Sequence, residues 1–427
     1  MYPDLTKENL IFVSIMLKLI HTADWHLGQT FFGYDRDEEH MAFLKWLLVV
    51  LEEQQTDVLL ISGDIFDVAN PSALAQRRFY HFLKEANKVN PSLRIVITAG
   101  NHDSATRLEA PNPLLKELNI SVVGVIKRTE DGLLDFNSLV LPLFDKQGQR
   151  RAWCMAVPFL RQGDYPPPEE MPDSYVAGVY RMYQQLYAYV DAMRQPDEAI
   201  LAMGHLHATG AELTENDRSE RIIMGGLESV SSDTFPHEVA YTALGHIHKA
   251  QRVGGRENVR YAGSPLPMSF SETNYRHQVV SITIEQDKAF SIESLPVPRM
   301  VDLIRVPAQP VPPAEVEELL RDLPEKTDQA EHTLPYLEVQ VLLNEPDPGF
   351  RHRVEEILAD KAVRLTSIVP SYPKVEKESG FHPLSYNDLQ AIDPLEMLKH
   401  SYVAKYGNDL PQEIEELFHQ VIQEVNL

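Results

Sequence analysis

The sequence predicts an α/β protein: a layered domain with largely buried strands, then a small α+β domain and a helical C-terminal tail. Three observations carry that expectation. Apolar strand-like runs alternate with amphipathic helix-like runs as far as about residue 285. Five short clusters of Asp, Asn and His each follow one of those runs: Asp24-Trp-His26, Gly63-Asp64-Ile-Phe-Asp67, Gly100-Asn101-His102-Asp103, Gly204-His205 and Gly245-His246-Ile-His248. Composition then shifts near residue 295, and the pattern beyond reads β-α-β-α-β.

In chain order, the candidate strands of the first domain are Leu17–His21, Val58–Ser62, Arg94–Ala99, Ile200–Gly204, Tyr241–Gly245, Val259–Ala262 and Val279–Ile284. The candidate helices are Asp37–Gln54, Ser72–Asn90 and Tyr175–Met193. Phe43, Leu44, Leu47, Leu48 and Leu51 give the first helix one apolar stripe, and Asn70-Pro71-Ser72 is a start signal for the second. His21 is expected to pack in a strand, and His40 and His81 to lie on helix surfaces. Residues 165–173 (YPPPEEMPD) read as an exposed linker. The domain boundaries expected are 16–295, 300–372 and 385–427. The tail places Leu410, Ile414, Leu417, Phe418, Val421, Ile422 and Val425 on one stripe, which suits docking on its own domain or binding a partner. Its eight acids against two lysines from Ser385 onward disfavour DNA contact there.

Hydrophobic content of 43% with 24% charged residues is that of an ordinary globular protein. The one cysteine, Cys154, cannot form an internal disulfide, which fits a reducing cytoplasm. Residues 10–20 are apolar, but they lack a basic flank and a cleavage site, and no run is long enough to span a membrane. Met16 is a candidate start, with residues 1–15 an upstream extension. The formal charge of −24 is awkward for a protein that grips nucleic acid alone. Either the substrate is small or a partner supplies most of the grip. Arg77-Arg78, Lys127-Arg128, Arg150-Arg151, Arg218 and Arg221 are small basic groups, read as solvated surface before DNA contacts.

Carboxylate and imidazole ligands without thiolate suit manganese, iron or zinc. The i, i+2 spacing of Asp24 with His26, and of His246 with His248, lets each pair aim one way from an extended strand end. Five such clusters in one chain point to a two-metal site that cleaves phosphoesters.

The order D-x-H, G-D-x-x-D, G-N-H-D, G-H, G-H-x-H resembles that of the calcineurin-like metallophosphoesterases. The stretches HTADWHLGQ (21–29), SGDIFD (62–67) and ALGHIHKAQ…YAGSPLPMSF (243–270) are similar, more narrowly, to the SbcD nuclease subunits of bacterial SbcC–SbcD complexes, which are Mre-type DNA-break nucleases. The resemblance is close over residues 17–285 and mostly architectural beyond. It implies a β-sandwich flanked by helices, with the second domain as a cap. It implies that Asp24, His26 and His248 hold one metal, that Asn101, His205 and His246 hold another, and that Asp64 bridges them. It makes His102 a catalytic histidine outside the ligand set, with Asp103 or Asp67 to orient it. Asp67 stands where some Mre-type relatives carry a second histidine, and His207 is expected not to be a ligand. The implied cofactor is a pair of manganese ions. The implied activity is duplex-end exonuclease and single-strand or hairpin endonuclease in DNA repair, recombination and replication. The implied assembly is a nuclease homodimer with an SbcC-type coiled-coil ATPase in a heterotetramer, without a membrane. No GxxxxGK[ST] loop occurs, so nucleotide use would belong to that partner. The rivals are a small-molecule phosphatase or phosphodiesterase, and a scaffold without catalysis.

Overall fold

The computed structural model describes residues 16–166, 175–209, 229–373 and 394–412, together with 414, 415, 417 and 418. It divides into two compact units, Met1–Met300 and Val301–Leu427.

The first unit is built on two six-stranded sheets. One runs in the order β14 (Lys288–Pro296), β13 (Gln278–Glu285), β1 (Met16–Thr22), β4 (Val58–Ser62), β5 (Arg94–Thr98), β6 (Ile120–Val123). The other runs β11 (Gln251–Val253), β12 (Arg256–Tyr261), β10 (Tyr241–Gly245), β9 (Ala199–His205), β8 (Arg150–Ala156), β7 (Val140–Phe144). Strands β1, β4, β5 and β6 are parallel, as are β8, β9, β10 and β12, and the outer pairs are antiparallel. A short hairpin, β2 (Thr30–Phe31) with β3 (Tyr34–Asp35), follows the first cluster.

Alternation along the strands decides what each face covers. Leu17, Leu19, Val58, Leu60 and Val96 join the core shared with the second sheet. Ile20, Leu59, Ile61, Ile95 and Ile97 pack with Phe43, Leu47, Phe79 and Phe82 of helices α1 (Asp37–Glu53) and α2 (Ala73–Val89). The Ser72 side chain accepts from Ala75 N and caps α2 as a start signal should. Two short helices, α3 (Ala105–Glu109) and α4 (Asn112–Leu115), follow β5, and α5 (Tyr175–Asp191) buries Val179, Met182, Leu186 and Val190. The sandwich flanked by helices is the fold class expected.

Several elements escaped the sequence pattern. The edge strand β7 carries Pro142, β8 opens with two arginines, and the edge strand β14 is mostly polar (KAFSIESLP). Edge strands tolerate proline and polar residues, so they lack the long apolar run that marks a central strand. Tyr165, expected in an exposed linker, is buried and packs edge-on against Tyr175 at 5.9 Å; residues 167–174 lie outside the described residues. His21 does pack in β1. His40 is also buried, contrary to the surface position expected, whereas His81 is exposed.

In the second unit a parallel three-stranded sheet, β15 (Leu303–Val311), β16 (Tyr336–Leu342) and β17 (Arg364–Ser371), packs with α6 (Pro313–Arg321) and α7 (Phe350–Leu358). Its core includes Val316, Leu320, Val339, Val341, Phe350 and Val354. Helix α8 (Pro394–Tyr406) follows, with the Tyr406 ring edge-on to Tyr372 at 4.8 Å. Of the terminal apolar stripe, Ile414 and Leu417 are exposed, while Val421, Ile422 and Val425 lie outside the described residues.

Candidate metal centre

All five clusters fall at the carboxyl ends of parallel strands: β1, β4 and β5 in one sheet, β9 and β10 in the other. That is where open α/β sheets build sites. Trp25 shows how β1 hands over its pair. Its indole is fully buried, donates to Thr22 Oγ1 at 2.9 Å, and meets Phe43, Phe79 and Phe82 edge-on. Asp24 and His26 flank that anchor. Backbone bonds from Asp24 N to Gly63 O (3.1 Å) and His26 N to Asp64 O (3.0 Å) zip the first cluster to the second. Asp24 Oδ1 accepts from His246 N at 2.9 Å, which ties the two sheets together across the centre.

Asp24, His26, Asp64 and His246 all have positive φ, at 54°, 46°, 49° and 102°. Non-glycine residues are costly there, and such strain gathers at functional sites where the surroundings enforce it. Two glycines permit the crowding. A Cβ on Gly63 would overlap the His205 ring, and one on Gly100 would overlap the Asp64 carboxylate and backbone.

Asp64 is the common member of two groups whose ligand atoms lie within 4.8 Å of one another: His26–Asp64–His102 and Asp64–His205–His246. Its Oδ1 accepts from His102 N at 2.9 Å, and its Oδ2 lies 3.2 Å from His205 Nε2 and 3.7 Å from His26 Nε2. His205 Nδ1 donates to the Ser62 carbonyl at 2.9 Å, which turns Nε2 toward Asp64 Oδ2 and toward Asn101 Oδ1 at 2.9 Å. Asn101 Oδ1 is also 3.0 Å from His246 Nδ1. The rings of His26 and His248 are 5.2 Å apart. All seven expected ligand residues therefore meet in one place. The His207 ring is in neither group.

The donor set fits divalent cations. Asp24 and Asp64 are both fully buried, and Asp24 Oδ2 has no hydrogen-bond partner among the described residues. A buried unpaired carboxylate oxygen is expensive unless a cation or proton reaches it. Burial pushes the Asp24 carboxyl up, against the pull of His205 and His248. Burial also works against ionised Asp64, but His205, His26 and His102 hold it well below the usual carboxylate range. For His205 burial pulls downward, and the Asp64 and Asp24 carboxylates overcome it, pushing the imidazole up to about 9. Its Nε2 faces two oxygens, so either a proton or a metal ion must stand between them. Burial pushes His246 down, which keeps it a neutral donor.

His102 Nδ1 donates to the Asp67 backbone carbonyl at 2.7 Å, leaving Nε2 as the free ring nitrogen. This corrects the expected orienters. The Asp103 carboxylate accepts from Gly100 N (2.9 Å), Ile65 N (3.2 Å) and Phe66 N (3.0 Å), so it braces the second and third clusters and does not touch His102. Burial and Asp64 push its carboxyl up to about 6 against those donors. The Asp67 side chain sits 3.3 Å from His26 Nδ1, so only its backbone serves His102.

One residue was missed by sequence reasoning. Glu272 is fully buried, with Oε1 3.3 Å from His248 Nδ1 and Oε2 accepting from Met268 N at 2.9 Å. It lies just past the GSPLPMSF stretch, whose likeness to relatives assigns no role to the acid that follows. The basic groups are largely spent on structure. Arg78 pairs with Asp37, Lys127 with Glu109, Arg150 with Glu198 and Arg151 with Asp145, while Arg218 and Arg221 lie outside the described residues.

Comparison with known proteins agrees with this geometry. Residues 17–250 match the calcineurin-like phosphoesterase family, and residues 299–406 match the type 5 capsule protein repressor C-terminal domain. The SbcD subunit of the nuclease SbcCD from Rhodobacter capsulatus is 36% identical over 86% of this chain and 90% of that protein. The SbcD subunit of Escherichia coli K12 is 35% identical over 66% of this chain and 68% of its own, and that of Bacillus subtilis 168 is 31% identical over 62% and 66%. The chain belongs to the calcineurin-like phosphoesterase family and, within it, to the group of SbcD subunits of SbcCD nucleases.

Proposed function

We propose that the chain is the nuclease subunit of a DNA-processing complex and hydrolyses phosphodiester bonds at the centre around Asp64. The observation that carries this reading is the carboxylate of Asp64 lying in both ligand groups. In the proposal Asp24, His26 and His248 hold one divalent ion, Asn101, His205 and His246 hold the second, and Asp64 is shared. Two manganese ions fit the donor types. Bound there, such ions act as Lewis acids on phosphoryl oxygens and acidify water.

The chain's own residues do the rest. The Asp67 carbonyl fixes the His102 tautomer and leaves Nε2 toward the centre, where as imidazolium it gives a proton to the leaving oxygen. Glu272 holds His248 by its far nitrogen, as ligand histidines are usually held. Asp103 keeps the loops of Asp64 and Asn101 in register through three backbone donors.

Relatives named as subunits of SbcCD support a coiled-coil ATPase partner, a DNA substrate and a nuclease dimer within the assembly. A partner also resolves the charge of −24, because it would supply the DNA grip. No described helix is long and apolar enough to cross a membrane, and we place the complex in the cytoplasm. Purified protein with manganese, offered labelled duplex, hairpin and small phosphodiesters, tests the reading. Cleavage of the DNA substrates is expected. Activity confined to small phosphodiesters would replace it with the phosphodiesterase alternative.

A further inference from the structure

A cavity of about 180 Å³ lies between residues 265–267, residues 275–277 leading into β13, and residues 296–299 after β14. Its charged lining is wholly cationic, Arg276 and Arg299, in a chain of net charge −24. Arg276 is exposed and makes no hydrogen bond or ion pair among the described residues. Arg299 gives one N–H to the Thr273 carbonyl at 3.1 Å and keeps its other donors. The third polar group is His277, only 7% exposed. Its Nδ1 donates to the Ser264 carbonyl at 2.9 Å, and its Nε2 has no hydrogen-bond partner among the described residues. A buried nitrogen left open beside two guanidinium groups is an arrangement that an oxyanion completes.

We propose that this cavity binds a phosphate group, and that on DNA it takes a backbone phosphate other than the one cut. The DNA half rests on the nuclease reading. Two guanidinium forks and an imidazole match phosphate oxygens in number and geometry, and the proline walls at Pro265, Pro267 and Pro296 lack N–H donors of their own. Phosphate contacts of this kind fix register on the strand without reading sequence. The register matters because the same loop holds the metal centre. Ser264 N donates to His248 O at 3.1 Å, and Met268 N to Glu272, so a strand seated in the cavity is indexed to the ligands.

The test compares wild type with Arg276→Gln, full chain with manganese, on hairpin DNA, on bis(4-nitrophenyl) phosphate, and in thermal melts with inorganic phosphate. Loss of one phosphate contact is expected to raise KM for DNA about ten-fold and to lower its salt slope by about one. Turnover of the small diester should stay within about two-fold, and the rise in Tm with phosphate should shrink. Unchanged DNA KM and an unchanged phosphate response would overturn the proposal. A smaller phosphate response with unchanged DNA KM would overturn the DNA half in favour of free phosphate. A wild type that cuts the small diester but no DNA would contradict the nuclease reading alone, and the phosphate melts would then decide the cavity.

Discussion

Replacing Glu272 with glutamine changes little in shape and much in charge. The buried carboxylate accepts twice, with Oε1 3.3 Å from His248 Nδ1 and Oε2 taking Met268 N–H at 2.9 Å. An amide can accept on one side only, so either His248 Nδ1–H or the Met268 N–H would face an NH₂ group. A buried donor left unpaired costs roughly 1–3 kcal/mol. If that cost falls on His248, metal affinity should drop by about 10- to 100-fold, the usual effect of losing the partner of a ligand histidine. Calorimetric or EPR titration with manganese reads this directly. Activity should fall steeply at limiting metal and recover to within a few-fold at saturating metal, since the Asp64-centred groups are untouched. Glu272→Gln with unchanged manganese affinity would refute the bracing role.

Three further changes probe other parts of the account. His102→Ala should keep both ions yet lose about 10²–10⁴ in kcat, as expected for general acid–base catalysis; loss of metal would make His102 a ligand instead. Burial pushes His21 down to about 3, so the folded state resists a proton that the unfolded chain takes near pH 6.5. Stability is therefore unaffected above that pH and falls as pH drops toward 3. At pH 5 the His21 cost is about 2 kcal/mol, so His21→Gln should flatten the acid limb of urea denaturation by that amount, and parallel curves would contradict it. Deleting residues 385–427 should spare metal binding but abolish co-purification with a coiled-coil ATPase; retained association would place that contact elsewhere.

The sandwich was legible where strands are buried on both faces. Val58–Ser62 and Tyr241–Gly245 appear at their expected bounds because continuous apolar runs leave no other register. The edge strands β7 and β14 were not legible, since one open side admits Pro142 and a run of polar residues. The meeting of the seven ligand residues followed from their positions at strand ends. Their orienters did not, because hydrogen-bond choice depends on geometry that spacing does not encode. Asp103 sits beside His102 in sequence yet spends its oxygens on three backbone donors, while His102 leans on a main-chain carbonyl that any residue at position 67 would supply. Glu272 stands 24 residues from His248, too far for a local pattern to join them.

The central claim is that one aspartate serves two metal positions. Metal content of wild type and Asp64→Ala, measured after manganese loading and desalting with circular dichroism to verify the fold, tests it most directly. The account predicts two ions per chain in the wild type, fewer than one in the variant, and no DNA cleavage by the variant. Two ions retained by a folded Asp64→Ala protein would contradict it.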